Sequence, residues 1–143
     1  VISTFIQMGG GVRDLAEAEL CYAPQYGGAK DPVNMAGMLA CNVLDGLTPQ
    51  RAWSSLPAEA QLVDVREPGE HAAGHAPDSR NIPLGALRGR LQEIDPGKPV
   101  LVYCEVGQRG HSATRLLRQH GFEAFNLAGG YQSRAPALAA GTG

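Results

Sequence analysis

The sequence lacks the features of several protein classes. Cysteine is scarce, at three residues in 143, so we expect no disulfide framework, and no paired Cys/His spacing indicates zinc. No apolar run approaches the roughly 20 residues that cross a bilayer. No basic stretch precedes an apolar one, as it would in a signal peptide. Few, widely spaced cysteines are typical of a reducing compartment, and we therefore expect a cytoplasmic protein.

The excess of charge is also small. A net charge of −2 gives no electrostatic reason to expect nucleic acid or an acidic membrane as a partner. The hydrophobic share of 43% and the length suit one globular domain with an appendage. Because the chain begins with Val1 rather than Met, we expect a fragment or a processed product of a longer protein.

Two segments of different character meet near residues 46–51. In the first, residues 1–47, short helix-like pieces are broken by glycine and proline. Asp31 and Pro32 predict the start of a helix, with Asp at the cap and Pro in the first turn. This segment is too small to bury the apolar stripe of that helix alone, so we expect it to dock on the second segment, on a second copy or on an absent domain. The stripe comprises Val33, Met35, Met38, Leu39 and Val43.

The second segment, residues 48–143, alternates predicted strands and helices. A continuous apolar run, PVLVYC, predicts a buried central strand that ends at Cys104. Strands joined by helices require a parallel sheet covered on both faces, and ligands of such sheets bind at the carboxyl ends of the strands. We predict strands at 62–65, 80–83, 99–104 and 122–127, and helices at 66–74, 85–94, 111–121 (with Gly121 as its cap) and from Gly129-Gly130 onward.

The loop that follows this strand contains the candidate reactive residues. Backbone N–H groups of a tight strand-to-helix loop can surround the Cys104 sulfur, and the helix beyond points its positive end at it. Such surroundings favour the thiolate, which is the nucleophilic form. Gly107 lies where a sharp turn needs a positive φ. We favour a role at the site for Arg109 over a bridge to a nearby carboxylate. The predicted loop comprises Cys104, Glu105, Val106, Gly107, Gln108, Arg109 and Gly110.

Three stretches resemble the rhodanese family of single-domain sulfurtransferases. They are DVREPGEHAAGHAPDSRNIPLGAL, VLVYCEVGQRG and FNLAGGYQSR, and the resemblance covers about two-thirds of the chain. The resemblance implies an α/β fold with a five-stranded parallel sheet flanked by helices. It also implies a six-residue active loop that starts at Cys104, where sulfane sulfur is carried as a persulfide. A small sulfane-sulfur donor and a thiol acceptor are the partners that it implies.

Loop length separates this chemistry from a phosphatase or arsenate reductase. A Cys-x5-Arg phosphatase needs arginine six places after the cysteine to grip phosphate. That position is Gly110 here, and Arg109 lies one residue early. A phosphatase is therefore the weaker alternative. Because Glu105 and Arg109 carry opposite charges, we also expect weak use of the dianion thiosulfate and better use of a persulfide or polysulfide.

The first segment has a resemblance of its own. ELCYAPQYGGAKDPVNMAG resembles the end of the dimerisation domain in coenzyme A-disulfide reductases and their persulfide-reductase relatives. This implies that residues 1–47 are the C-terminal remnant of the dimerisation domain of a flavin disulfide reductase. FAD, NAD(P)H and coenzyme A would then bind only to a full-length parent protein. No cofactor or metal site is expected in this chain, which lacks Gly-x-Gly-x-x-Gly. A reductase domain in cis or in trans, and a homodimer formed through the first segment, are the expected partners.

Two function classes therefore stay open: a sulfurtransferase, and a sulfur-delivery or regulatory module without turnover that serves a partner reductase. Other polar residues are assigned structural roles. We expect Asp64 and Arg66 to pair, and His71 and His75 to be structural rather than a metal pair. For His111 we expect a solvated position, and for Trp53 a place in the core or over the junction of the segments. Cys21, Cys41, Tyr22 and Tyr26 are interpreted as packing or contact residues.

Overall fold

The structure is a computed structural model and describes residues 1–20, 25 and 31–134. The interpretations of Cys21, Tyr22 and Tyr26 fall outside the described residues. The chain divides into two compact units, Val1–Leu47 and Thr48–Gly143.

The first unit contains three described helices. They are α1 (Ile2–Gln7), α2 (Val12–Glu17) and α3 (Pro32–Leu44). The Asp31 carboxylate accepts a hydrogen bond from the Val33 N–H at 2.8 Å, and Pro32 occupies the first turn. The predicted helix start is therefore confirmed.

Helix α3 packs against α2 within this unit. Gly37 is the buried residue of α3, and a Cβ at this position would meet the Ala16 backbone nitrogen at 2.5 Å. The Asn34 amide donates to the carbonyl oxygen of Ala18 at 2.9 Å. The absence of a side chain at Gly37 therefore permits α3 to lie close to the backbone of α2. Three members of the stripe remain 40–46% exposed: Met35, Met38 and Leu39.

The second unit is built on a five-stranded parallel sheet, as the family resemblance implied. Its strands lie in the order β1-β5-β4-β2-β3, and every neighbouring pair is parallel. The strands are β1 (Gln50–Arg51), β2 (Gln61–Asp64), β3 (Arg80–Asn81), β4 (Val100–Tyr103) and β5 (Ala124–Leu127). The two-residue β1 was not predicted, because a strand this short has no alternating pattern to recognise.

Strand β4 is the centre of the sheet. All four of its residues are fully buried, and its side chains alternate between two apolar clusters. Val100 and Val102 pack with Leu117 and neighbouring residues, whereas Leu101 and Tyr103 pack with Trp53 on the other face. Cys104 follows at the carboxyl end of this strand, as predicted.

The helices of this unit are α4 (Pro68–Ala73), α5 (Leu84–Leu87) and α6 (Gln108–Gln119), with short 3-10 helices at Leu91–Glu93 and Tyr131–Ser133. Leu87 of α5 and Leu117 of α6 belong to the apolar cluster on one face of the sheet, and Tyr131 packs against the cluster on the other. The prediction of a single helix over 85–94 is wrong, because the segment divides into the four-residue helix α5 and a separate 3-10 helix. Gly89 lies at the break, where its N–H bonds to Ala86 in an i,i+3 pattern and a glycine disfavours continued helix.

Helix α6 ends as predicted at Gly121. This residue has a φ of +86°, the Phe122 N–H bonds to the Leu117 carbonyl at 3.1 Å, and the Gly121 N–H bonds to that of Arg118 at 3.1 Å. These two bonds form a Schellman motif, which satisfies carbonyls of the last turn. Within the described ranges, no helix combines the length and apolar character that a membrane span requires.

Candidate active site

The Cys104 sulfur lies against the first residues of α6. The Gly107 N–H donates to Cys104 Sγ at 3.1 Å, and Gly107, the N-cap of α6, has the positive φ expected for it, +107°. The first helical bond runs from the His111 N–H to the Gly107 carbonyl at 2.9 Å, so the amides of residues 108–110 have no intrahelical acceptor. The positive end of α6 is therefore beside the sulfur. Cys104 itself is 1% exposed.

The segment after β5 fixes the other side of the loop. The Tyr131 N–H donates to the Cys104 carbonyl at 2.7 Å, and the Gln132 N–H donates to that of Glu105 at 3.1 Å. A Cβ at Gly130 would lie 2.6 and 2.5 Å from these two carbonyl oxygens. Glycine at this position therefore permits the contact, and sequence reasoning assigned it only to the start of a helix.

Trp53 supports the same segment from the core. It is 3% exposed, its indole N–H donates to the Gly130 carbonyl at 2.9 Å, and its ring meets Tyr103 edge-on at 5.3 Å. A core position for Trp53 was one of the two expected.

Asn126 is a residue of the site that sequence reasoning missed. It lies in β5, is 4% exposed, and its side-chain amide donates to the Gly107 carbonyl at 3.1 Å. A Cβ at Gly110 would collide with Asn126 Oδ1, so glycine is needed where α6 crosses this side chain. The sequence does contain a signal for Asn126, because it is a polar residue within an otherwise apolar strand. A buried amide usually has a specific hydrogen-bond partner.

A buried arginine connects the sheet to the loop. Arg66 is 3% exposed and forms a bidentate pair with Asp64, which is fully buried; its Nη2 donates to Asp64 Oδ2 at 2.8 Å. Its Nη1 donates to Glu105 Oε2 at 2.9 Å. Burial opposes ionisation of Asp64, but the hydrogen bonds from Arg66 and His71 outweigh it, and the pKa of Asp64 is lowered. The structural pairing predicted for Asp64 and Arg66 is confirmed, and it extends to the active loop.

The ring contacts of His71 and His75 are with Asp64 and with each other. His71 Nδ1 is 2.9 Å from Asp64 Oδ2, and the His71 and His75 rings stack at 3.9 Å. In the described part of the chain, no three His, Cys, Asp or Glu residues are grouped to hold a metal. His111 is half-buried rather than fully solvated, and burial, followed by the charge of Arg115, lowers its pKa.

Arg109 forms the carboxylate bridge that the sequence made the less favoured interpretation. Its guanidinium donates to Glu70 Oε2 at 2.6 Å and to Glu70 Oε1 at 2.7 Å. The pKa of Arg109 is raised, chiefly by this pair and also by the charge of Cys104. The pair lowers the pKa of Glu70 to about 2. Arg109 therefore joins the first turn of α6 to α4.

An open cavity of about 380 Å³ lies beside the loop. The Arg66 guanidinium lies 4.3 Å from the Tyr131 ring centroid within it. Of the remaining loop residues, Val106 and Gln108 are exposed and Gly110 is buried. The cavity is lined by Arg66, Glu70, Ala73, Gly74, Glu105 and Tyr131.

Comparison with known proteins identifies the family. The family model of the rhodanese-like domain matches residues 48–135. The chain belongs to the rhodanese-like family. Its described second unit has the fold of that family.

Two individual proteins are similar to this chain. The chain is 39% identical over 70 residues to a sulfurtransferase of Allochromatium vinosum, matching 48% of this chain and 65% of that protein. It is 47% identical over 75 residues to the uncharacterised protein YqhL of Bacillus subtilis, matching 52% of this chain and 60% of that protein. The chain thus spans less than two-thirds of these relatives. The family and the Allochromatium vinosum relative support sulfurtransferase activity in general.

Two solved structures extend the similarity to nearly the whole chain. The reduced CoADR-RHD of Bacillus anthracis is 39% identical, with a TM-score of 0.88, and the match covers 97% of this chain and 26% of that one. The NAD-dependent persulfide reductase of A. fulgidus is 36% identical, with a TM-score of 0.77, and the match covers 90% of this chain and 24% of that one. The rhodanese-like domain is therefore related to domains of longer proteins.

Proposed function

We propose that this rhodanese-like domain is a sulfurtransferase that carries sulfane sulfur as a persulfide on Cys104. The observation that supports it best is the Gly107 N–H on Sγ at 3.1 Å, at the positive end of α6. An amide and a helix N-terminus both stabilise a sulfur anion. The same groups can stabilise the terminal sulfur of a persulfide, which is also an anion.

The proposed transfer has two displacement steps. The Cys104 thiolate attacks the outer sulfur of a thiol persulfide, the donor S–S bond breaks, and the donor leaves as a thiolate with the bonding electrons. An acceptor thiolate then attacks the outer sulfur of the Cys104 persulfide and releases the Cys104 thiolate. Sulfane sulfur moves from one thiol to another, and no external oxidant or reductant is consumed.

The charges around the loop favour a thiol persulfide over thiosulfate as the donor. Glu105 is paired with Arg66, and Arg109 is paired with Glu70. Both charged residues of the loop are therefore compensated, and both arginines already bind carboxylates. A dianion gains little from guanidinium groups that are already paired. The reacting –S–SH group of a thiol persulfide carries at most one negative charge, so it depends less on free guanidinium groups.

We also propose that the chain belongs to an FAD- and NAD(P)H-dependent reductase of coenzyme A disulfide, persulfides or polysulfides. The matches to the Bacillus anthracis and A. fulgidus structures support this parent. In that case the first unit is a dimerisation-domain remnant, and the reductase cofactors bind elsewhere in the parent. An upstream reading frame that encodes a dinucleotide-binding domain would support the assignment, and its absence would contradict it.

One observation favours the alternative of a delivery or regulatory module without turnover. Cys104 is 1% exposed, so a donor has to displace part of the loop to reach the sulfur. On this alternative, a partner reductase would open the site and turnover would belong to the partner.

Mass spectrometry after treatment with glutathione persulfide separates the two functions. We expect the Cys104 peptide to gain the mass of one sulfur atom and to lose it when dithiothreitol is added. The C104S variant should not gain it, and C41S, which removes a free thiol of the first unit, should behave like the wild type. A wild-type chain that stays unlabelled at Cys104 would refute the sulfurtransferase and favour the module.

Steady-state kinetics test the donor. We expect a higher kcat/KM for glutathione persulfide than for thiosulfate. A clear preference for thiosulfate would refute the argument from compensated charges.

A further inference from the structure

We infer that Glu70 is a positioning residue for the active loop and that it acts on the sulfur through Arg109. The inference depends on the proposed function, because it concerns the rate at which Cys104 takes up sulfur. It assigns a role in the reaction to a residue of α4 that lies 34 positions before the cysteine in the sequence.

The Glu70 carboxylate is itself held in place. It is the third residue of α4, and its Oε2 accepts the Glu67 N–H at 2.9 Å, which closes a capping box at the start of the helix. The same Oε2 accepts from Arg109 at 2.6 Å, and Oε1 accepts from Arg109 at 2.7 Å. One carboxylate therefore caps α4 and binds the first turn of α6.

The geometry at Arg109 is that of a two-point bridge. Two parallel N–H···O bonds fix the plane of the guanidinium as well as its position. A lysine or a singly bonded amide would not fix both. The side chains are 33% and 34% exposed, so the bridge is shielded on one side, and it joins residues that are 39 apart in the sequence.

Position along α6 connects the bridge to the sulfur. Arg109 lies two residues beyond Gly107, whose N–H is bonded to Cys104 Sγ. A rigid first turn transmits the position of Arg109 to that amide. The bridge therefore fixes a cation in the first turn of α6, two residues from the amide that binds the sulfur. Loss of the bridge should therefore slow sulfur uptake more than it weakens donor binding.

The chain offers a matched control. Arg90 and Glu93 form another bidentate pair, at 2.5 and 2.8 Å, and their side-chain exposures of 38% and 34% resemble those of Arg109 and Glu70. Glu93 lines a different cavity, which contains no residue of the active loop. E93Q therefore removes a comparable ion pair without touching the sulfur site.

The test is a double-mutant cycle of E70Q, R109Q and E70Q/R109Q, with E93Q beside it. Glutamine at position 70 can still accept the Glu67 N–H, so the cap of α4 is retained. We expect kcat for sulfur uptake from glutathione persulfide to fall about tenfold in E70Q, with KM nearly unchanged. The double variant should be no slower than R109Q, because Glu70 acts only through Arg109. E93Q should keep the wild-type kcat.

Two results would overturn the inference. One is a kcat for E70Q that equals that of E93Q; the other is additive loss in the double variant, which would show that Glu70 acts independently of Arg109. Thermal unfolding of all four variants distinguishes positioning from folding, since E70Q and E93Q should lose similar stability. If wild-type Cys104 takes up no sulfur at all, the proposed function fails, whereas normal uptake by both wild type and E70Q refutes the positioning role alone.

Discussion

Replacing Gly130 by alanine tests whether the segment after β5 fixes the active loop. The added Cβ would lie 2.5 Å from the Glu105 carbonyl oxygen and 2.6 Å from that of Cys104. Both atoms belong to backbone and cannot rotate away as a flexible side chain would. Gly130 also has φ +64° and ψ −161°, a region that is essentially restricted to glycine.

The size of the effect follows from these contacts. The backbone conformation costs an alanine about 1–3 kcal/mol. Shifting the loop also weakens the hydrogen bonds from Tyr131 to Cys104 and from Gln132 to Glu105, each of which contributes about 1 kcal/mol. We therefore expect G130A to lose about 3–5 kcal/mol of unfolding free energy in total. Sulfur uptake should fall with it.

Gly121 provides the control for backbone conformation alone. Its φ is +86°, and a Cβ there would meet no atom within 4 Å. G121A should therefore cost only about 1 kcal/mol for the left-handed conformation. The difference between the two variants measures the collision with the loop.

Urea unfolding followed by tryptophan fluorescence is a suitable assay. Trp53 is the one tryptophan of the chain, it is buried in the second unit, and its indole bonds to Gly130. Its signal therefore reports on the unit that contains the site. Unfolding free energies of G130A and G121A that agree within about 1 kcal/mol would refute the proposed role of Gly130.

Further predictions concern the groups around the loop. N126A removes the bond to the Gly107 carbonyl and should cost about 1–3 kcal/mol of stability, measured by urea unfolding, and slow sulfur uptake; unchanged uptake would contradict the role of Asn126. Y103F leaves the buried Ala76 N–H without its 3.1 Å acceptor and should cost about 1–2 kcal/mol, with a cost near zero as the contradicting result. The folded-state pKa of Glu70 is about 2, below its ordinary 4.5, so its contribution to the free energy of unfolding is present above pH 4.5 and lost as pH falls towards 2. E70Q should therefore reduce the dependence of the unfolding free energy on pH between these values. An unchanged pH dependence in E70Q would refute this prediction.

Local patterns predicted the parts of the fold that depend on neighbouring residues. The Asp31-Pro32 start of α3, the Gly121 end of α6 and the buried strand that precedes Cys104 are set by capping, by glycine conformation and by apolar runs. The positive φ of Gly107 follows from the turn that it makes. Each of these signals involves only residues that are close together in the sequence, so each can be recognised from the sequence alone.

The supports of the site depend on contacts between distant residues. Trp53 reaches Gly130 across 77 positions, and Asn126 reaches Gly107 across 19. The Glu70 bridge to Arg109 has no local signature either, because both residues suit an exposed helix face. Such contacts follow from strand order, and the short β1 that completes this order has no pattern of its own.

The orientation of the peptide groups in the loop has a consequence for binding. The carbonyls of Cys104, Glu105 and Gly107 all accept hydrogen bonds from outside the loop, from Tyr131, Gln132, and His111 with Asn126, respectively. These three oxygen atoms are already bound to donors, whereas the Gly107 N–H is directed at the sulfur. Folding has already met the cost of aligning these groups, so an incoming negative charge finds an environment that needs no further reorganisation.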